Sequence, residues 1–234
     1  MYIAAGGIVG DAYGKAEKIA DCFNAGEVLS LSLTGEYVMG NYVGGVIGWL
    51  ENPCVVTDCI NTGKVTCSTG EKNDYVAAIA GGIIGYKEST GTDSGNKNWG
   101  EVTAIGQWVS KTDNYPAVAG GVVGALHYGT IEDCYNYGDV IGGQNTSLTT
   151  SAAKFNGESR AGSIAGYYTA GISPFADCEG TITKCYVGGW VKNASYSSWK
   201  EITSSNFGGL IVGRGNDPTD CYFAEFVEAP QPEL

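Results

Sequence analysis

The chain has 234 residues with 37 glycines, 43% hydrophobic and 16% charged residues, and 25 acidic against 13 basic side chains, a net charge of −12. So acidic a chain repels a phosphate backbone, which excludes nucleic acid as a natural partner. The glycines show no three-residue period and no apolar run reaches the 18 residues of a membrane-spanning helix, so neither collagen nor membrane insertion is expected.

Read from the start, MYIAAGGIVG shows no basic segment followed by an apolar leader, so no signal peptide is visible. Its Gly6-Gly7-Ile8-Val9-Gly10 opens a series: Gly44-Gly45-Val46-Ile47-Gly48, Gly81-Gly82-Ile83-Ile84-Gly85 and Gly120-Gly121-Val122-Val123-Gly124, eroding to Gly162-Ser163-Ile164-Ala165-Gly166 and Gly208-Gly209-Leu210-Ile211-Val212-Gly213. First glycines stand 38, 37, 39, 42 and 46 residues apart. A second block follows each first one, clearest as KIADCFNAGEV (18–28), VVTDCINTGKV (55–65) and TIEDCYNYGDV (130–140). The third copy has Asn96 in place of the cysteine, and the fifth keeps Cys185 but loses the asparagine. In every copy a valine falls six residues after the cysteine position, so the register is internally consistent.

Glycine pairs oppose a helix, and no apolar pattern at helical spacing is sustained. Short β-branched runs punctuated by glycine predict strands and turns. One such unit cannot bury its apolar face alone, so copies must stack. The expected fold is therefore all-β, a β-solenoid of about six coils over residues 1–227, with 228–234 an extended C-terminal linker. Cys22, Cys59, Cys134, Cys185 and Cys221 would form one inward row of reduced thiols, and Asn24, Asn61, Asn98 and Asn136 a second row bonded amide to amide. Cys54, Cys67 and Cys178 lie off that row, and Cys178 with Cys185 is the first pair to check for a disulfide. An inward isoleucine three residues before the cysteine has the wrong parity for a straight strand, so a bend must intervene. Leu29 to Val43 alternates and turns at Thr34-Gly35-Glu36, which predicts hairpin-like inserts stacked on one side.

The paired blocks, GG-[IV]-[VI]-G and I-x-x-C-x-N-x-G-x-V, resemble the GLUG motif, a repeat of bacterial surface and secreted proteins including adhesin-like chains. The resemblance implies a right-handed β-helix or related solenoid, an extracellular setting, and no shared active site.

Residues for chemistry are sparse. His127 is the single histidine, too few for a zinc peptidase, and no CxxC occurs. Asp21, Asp58, Asp133 and Asp220 each precede a row cysteine, but Gly95 and Lys184 break the series, so either an exposed acidic edge or turn-capping aspartates are expected rather than calcium or paired-acid chemistry. No cofactor, metal or catalytic set is predicted. The reading is a non-enzymatic adhesin-like binding or stalk domain of a larger bacterial surface protein, whose chain continues on at least one side or has an end covered by a further element. It would meet a host or cell-surface glycan or a matrix protein through insert aromatics, with Trp108, Tyr115, Tyr196 and Trp199 as the candidate contacts. The alternative is a polysaccharide-degrading β-helix enzyme.

Overall fold

A computed structural model describes residues 2–14, 17–32, 40–51, 53–69, 77–107, 117–145, 159–167, 180–195, 207–209 and 218–223. Every described strand pair is parallel, and five sheets are built by stacking equivalent segments of successive copies. The protein is an all-β parallel solenoid.

Taking one copy in chain order shows how the sequence makes a coil. Gly40–Gly44 belongs to sheet A, Ile47–Leu50 to sheet B, Val55–Thr57 to sheet C, Ile60–Asn61 to sheet D and Val65–Thr69 to sheet E. The glycine pair makes the turn from A to B: a Cβ on Gly44 would lie 1.9 Å from the Ile47 carbonyl oxygen. Sheets A and D hold six strands, while B, C and E hold five. The expectation of about six coils is thus corrected: among the described residues five copies place a strand in every sheet, and the last contributes Phe207–Gly209 and Tyr222–Phe223.

The coil is flattened into layers. Sheets E and A enclose one core, with Val65, Cys67, Val102, Ala104 and Val140 facing Val43, Ala78, Ala80, Ala117 and Ala119. The opposite face of sheet A carries Tyr42, Ile79 and Val118 against Trp49, Tyr86 and Ala125 of sheet B. Here the layers approach so closely that a Cβ on Gly85 would fall 2.7 Å from the Val43 nitrogen, which accounts for the third glycine of the motif. The remaining face of sheet B packs Ile47, Leu50, Ile84, Val123 and Leu126 onto Val56, Cys59, Ile131, Cys134, Ile182 and Cys185.

The parity problem is solved by one residue per coil. Asp21, Asp58, Asp133, Lys184 and Asp220 have φ between 50° and 55°, and Gly95 has 68°. Each sits just before the cysteine position, and its left-handed backbone swings the chain so that Val56 and Cys59 both point inward. The aspartates serve as turn residues, which is why glycine replaces one of them so readily.

The insert segments differ from the expected hairpins. Val28–Ser32 pairs with Val65–Thr69 in sheet E, and Gly40–Gly44 pairs with the copies on either side in sheet A. The two arms face each other across a core, joined by Ser30 Oγ donating to Asn41 Oδ1 at 2.8 Å, instead of bonding backbone to backbone. Alternation is the same for a parallel arch and an antiparallel hairpin, so the pattern alone led to the wrong partner. The tips at 33–39, 70–76, 108–116, 146–158 and 196–206, and the tail 228–234, lie outside the described residues.

Candidate functional site: an aromatic strip on sheet D

The second block positions two inner rows and one outer strip. Asn24 Nδ2 donates to Asn61 Oδ1, Asn61 to Asn98 and Asn98 to Asn136, each at 2.8 Å. Every one of these asparagines also closes its own turn, as Asn61 Nδ2 donates to Gly63 O and Gly63 N donates back to Asn61 Oδ1. The carboxamides lie against the second glycine of the first block: a Cβ on Gly82 would sit 2.4 Å from Asn98 Cγ. In the fifth copy Val187 replaces the asparagine and Ser163 replaces that glycine, and Asn136 Nδ2 donates to Ser163 Oγ at 2.9 Å. Loss of one partner and gain of the other belong together.

The cysteines form the neighbouring row. Backbone bonds run from Ile60 N to Cys22 O, Lys97 N to Cys59 O, Tyr186 N to Cys134 O and Tyr222 N to Cys185 O at 2.8–2.9 Å. Each thiol lies toward the carbonyl two residues back, as Cys59 Sγ to Thr57 O at 3.3 Å. Asn96 takes the missing thiol's place, accepting from Cys59 N at 3.0 Å and donating to Val56 O at 2.9 Å. All seven described cysteines, Cys185 among them, are free thiols. Cys178 lies outside the described residues. Burial pushes the Cys59 thiol up to about 11 and the Cys67 thiol further still, so these sulfurs stay protonated and inert.

The third copy carries an ion pair in the interior. Lys87 Nζ meets Asp93 Oδ2 at 2.8 Å with both side chains fully buried. Lys87 also donates to Gly91 O at 3.0 Å, and Asp93 Oδ1 accepts from Val56 N at 2.7 Å. Lys87 lies between Leu50 and Leu126 in sheet B, and Asp93 beside Ile131 in sheet C, so one matched pair of charges replaces apolar residues of the adjacent coils. With no solvent at either group, the pair is part of the scaffold.

His127 donates to or accepts from the Tyr86 hydroxyl through Nδ1 at 3.0 Å, stacks on Tyr128 with centroids 3.9 Å apart, and stands 4.0 Å from Glu88 Oε1. Its ring bond goes to a phenol rather than to a serine or cysteine nucleophile. Nearby, burial together with Asp11 and Glu88 raises the Glu51 carboxyl above its ordinary range.

What faces outward is different in kind. The residue after the cysteine position points away from the core, giving the register Phe23, Ile60, Lys97, Tyr135, Tyr186, Tyr222. Beside it, the residue after the asparagine position gives Trp99 and Tyr137, and Trp190 follows at the sheet E border. Tyr135 stacks on Tyr186 at 5.0 Å and 10°, Tyr186 on Tyr222 at 5.4 Å and 20°, and Trp99 on Tyr137 at 5.5 Å and 16°. Lys97 Nζ lies 5.7 Å from the Tyr135 ring centre, and Tyr137 also lies over Gly188, where a Cβ would be 2.9 Å from its ring. Despite this stacking, Trp99, Tyr137, Tyr186, Trp190 and Tyr222 are 39–56% exposed. A contiguous aromatic surface of this kind is costly to leave in water. Burial among neighbours, with Tyr186 and Asp133 adjacent, pushes the Tyr135 phenol up, so its hydroxyl remains a donor.

Carboxylates border the strip. Asp133 and Asp220 are exposed at the left-handed turn on one side, and Glu101 and Asp139 stand on the other. Lys184 is held by Glu132 at 2.8 Å and Lys64 by Glu101 at 2.8 Å, so two of the nearby cations are already neutralised.

Residues 39–66 match the family model described as the GLUG motif. That span runs from the start of the sheet A strand to the start of the sheet E strand, one coil of the solenoid. No curated protein and no solved structure matches the chain. Trp108, Tyr115, Tyr196 and Trp199, the sequence-derived contact candidates, lie outside the described residues. The strip is hard to see in the sequence because its main row begins Phe, Ile, Lys before settling on tyrosine; its signal is the position after each cysteine, aligned across the copies.

Proposed function

We propose that this is a non-enzymatic, adhesin-like binding or stalk domain of a larger bacterial surface protein, exposed to the extracellular medium and wound right-handedly, as parallel crossovers are. The observation that supports the reading is the strip on sheet D: a ladder of scaffold bonds holds exposed aromatic rings in a line. Its partner would be a glycan of a host or cell surface or a matrix protein. Aromatic residues make large contacts at small entropic cost, which suits recognition by rings held in a stacked ladder.

The test is binding of the whole domain to glycan and matrix-protein arrays, comparing the parent with Tyr186→Ser and Trp99→Ser variants that keep its far-ultraviolet spectrum and Tm. Binding that falls at least ten-fold in the variants supports the reading. Absence of any binding, or binding that ignores both substitutions, refutes recognition at this strip and leaves a spacer.

A further inference from the structure

The strip is specific about the chemistry it can offer. In a sugar-binding platform the ring faces lie open to a pyranose; here they are turned to one another. Tyr186 is sandwiched between Tyr135 and Tyr222, and Tyr137 between Trp99 and Gly188. The stacked rings offer edges and phenol hydroxyls, bordered by Asp133, Lys184 and Asp220 on one side and on the other by Asp139, whose Oδ1 accepts from Trp190 N at 3.0 Å. Of the cations closest to it, Lys184 is occupied by Glu132 and Lys97 lies against the Tyr135 ring. The whole chain carries −12 besides, so the long-range field favours approach of positive charge.

We propose that the strip binds a cationic polypeptide segment, extended and rich in arginine or lysine, laid along the solenoid axis. This rests on the recognition reading given above. Alkyl stems of such side chains cover ring edges while their charged heads reach the bordering carboxylates, and a backbone amide or guanidinium can meet the phenols. The rows from Lys97 and Trp99 through Tyr135 and Tyr186 to Tyr222 span three steps of about 4.8 Å, near 14 Å, enough for about four extended residues. A neutral glycan lacks the charge to use the border, and a polyanion is repelled by it.

The experiment sets the full chain against an array of peptides graded from acidic through neutral to basic, with neutral β-linked oligosaccharides and heparin in parallel, at low and high salt. Expected is a signal that rises with arginine and lysine content. It should drop at least ten-fold from low to high salt, at least ten-fold in Tyr186→Ser or Trp99→Ser, and several-fold in the double variant Asp133→Asn with Asp139→Asn. Strip-dependent binding of neutral oligosaccharide or heparin, insensitive to the Asp→Asn changes, overturns the cationic-peptide assignment while keeping the strip as the recognition surface. Self-association lost in the same variants also overturns it, in favour of a second copy. Basic-peptide binding unchanged by every strip variant overturns both this assignment and the reading it rests on.

Discussion

Replacing the buried Lys87–Asp93 pair tests the layered description of the core most sharply. Each side chain is fully buried, and the charges meet at 2.8 Å. Removing either partner alone, as Lys87→Leu or Asp93→Ile, strands an ion in a dry interior and should cost about 3–5 kcal/mol. The double variant restores what the adjacent coils carry, Leu50 and Leu126 at one site and Ile131 at the other. Exchanging a buried pair for matched apolar residues typically gains about 1–4 kcal/mol. Against that, Val56 N loses the Asp93 oxygen it donates to at 2.7 Å, at about 1–3 kcal/mol until the sheet C ladder re-forms. The two terms nearly cancel, so the double variant should lie within about 2 kcal/mol of the parent although the single changes sum to roughly 6–10 kcal/mol. Guanidinium unfolding of all four proteins measures the cycle. A double variant as unstable as the two single losses added together would show that the charges do not compensate each other and that the site is misread.

Three further outcomes follow from the rows. Asn98→Ala removes a carboxamide that accepts from Asn61 and donates to Asn136 and Gly100, and should cost about 3 kcal/mol by chemical denaturation; an effect under 1 kcal/mol would refute the amide row as a source of stability. Gly82→Ala forces a Cβ to within 2.0 Å of the Gly121 carbonyl oxygen and should prevent folding, whereas Gly26→Ala meets nothing closer than 3.6 Å and should leave Tm nearly unchanged; equal tolerance at both sites would contradict the close stacking of coils. Because burial lifts the Cys59 thiol to about 11, above an unfolded value near 8.5, the thiol contribution to stability in reducing buffer should be constant below about pH 8. It should then fall as pH rises from about 8.5 toward 11, by up to about 1.4 kcal/mol per unit for each such thiol, since the unfolded chain ionises first. A denaturation midpoint constant to pH 10 would show that these thiols are not buried.

Periodicity made the solenoid legible, because identical spacing of Cys, Asn and Val in successive copies leaves stacking as the way to bury them. It could not reveal the bend before each cysteine, since a left-handed residue is a backbone property and Asp58 or Asp133 reads equally as an acidic edge. The arms around Ser30 and Asn41 read as hairpins in the sequence because a two-residue period does not say which strand is the neighbour. Lys87 and Asp93 were opaque for a different reason: each is unremarkable alone, and their meaning appears only when Leu50, Leu126 and Ile131 occupy the same places in adjoining coils.

The pairing of Ser163 with Val187, against Gly121 with Asn136, has a consequence for how such a gene can lengthen or shorten. A crossover joining the first half of the fifth copy to the second half of the fourth would press a hydroxymethyl group into the space that an Asn136-type carboxamide fills, whereas the opposite junction would leave that space empty beside a valine. An exchange between these two copies therefore has to carry both halves together, whereas the first four copies, which all set a glycine against an asparagine, can trade halves among themselves without that clash.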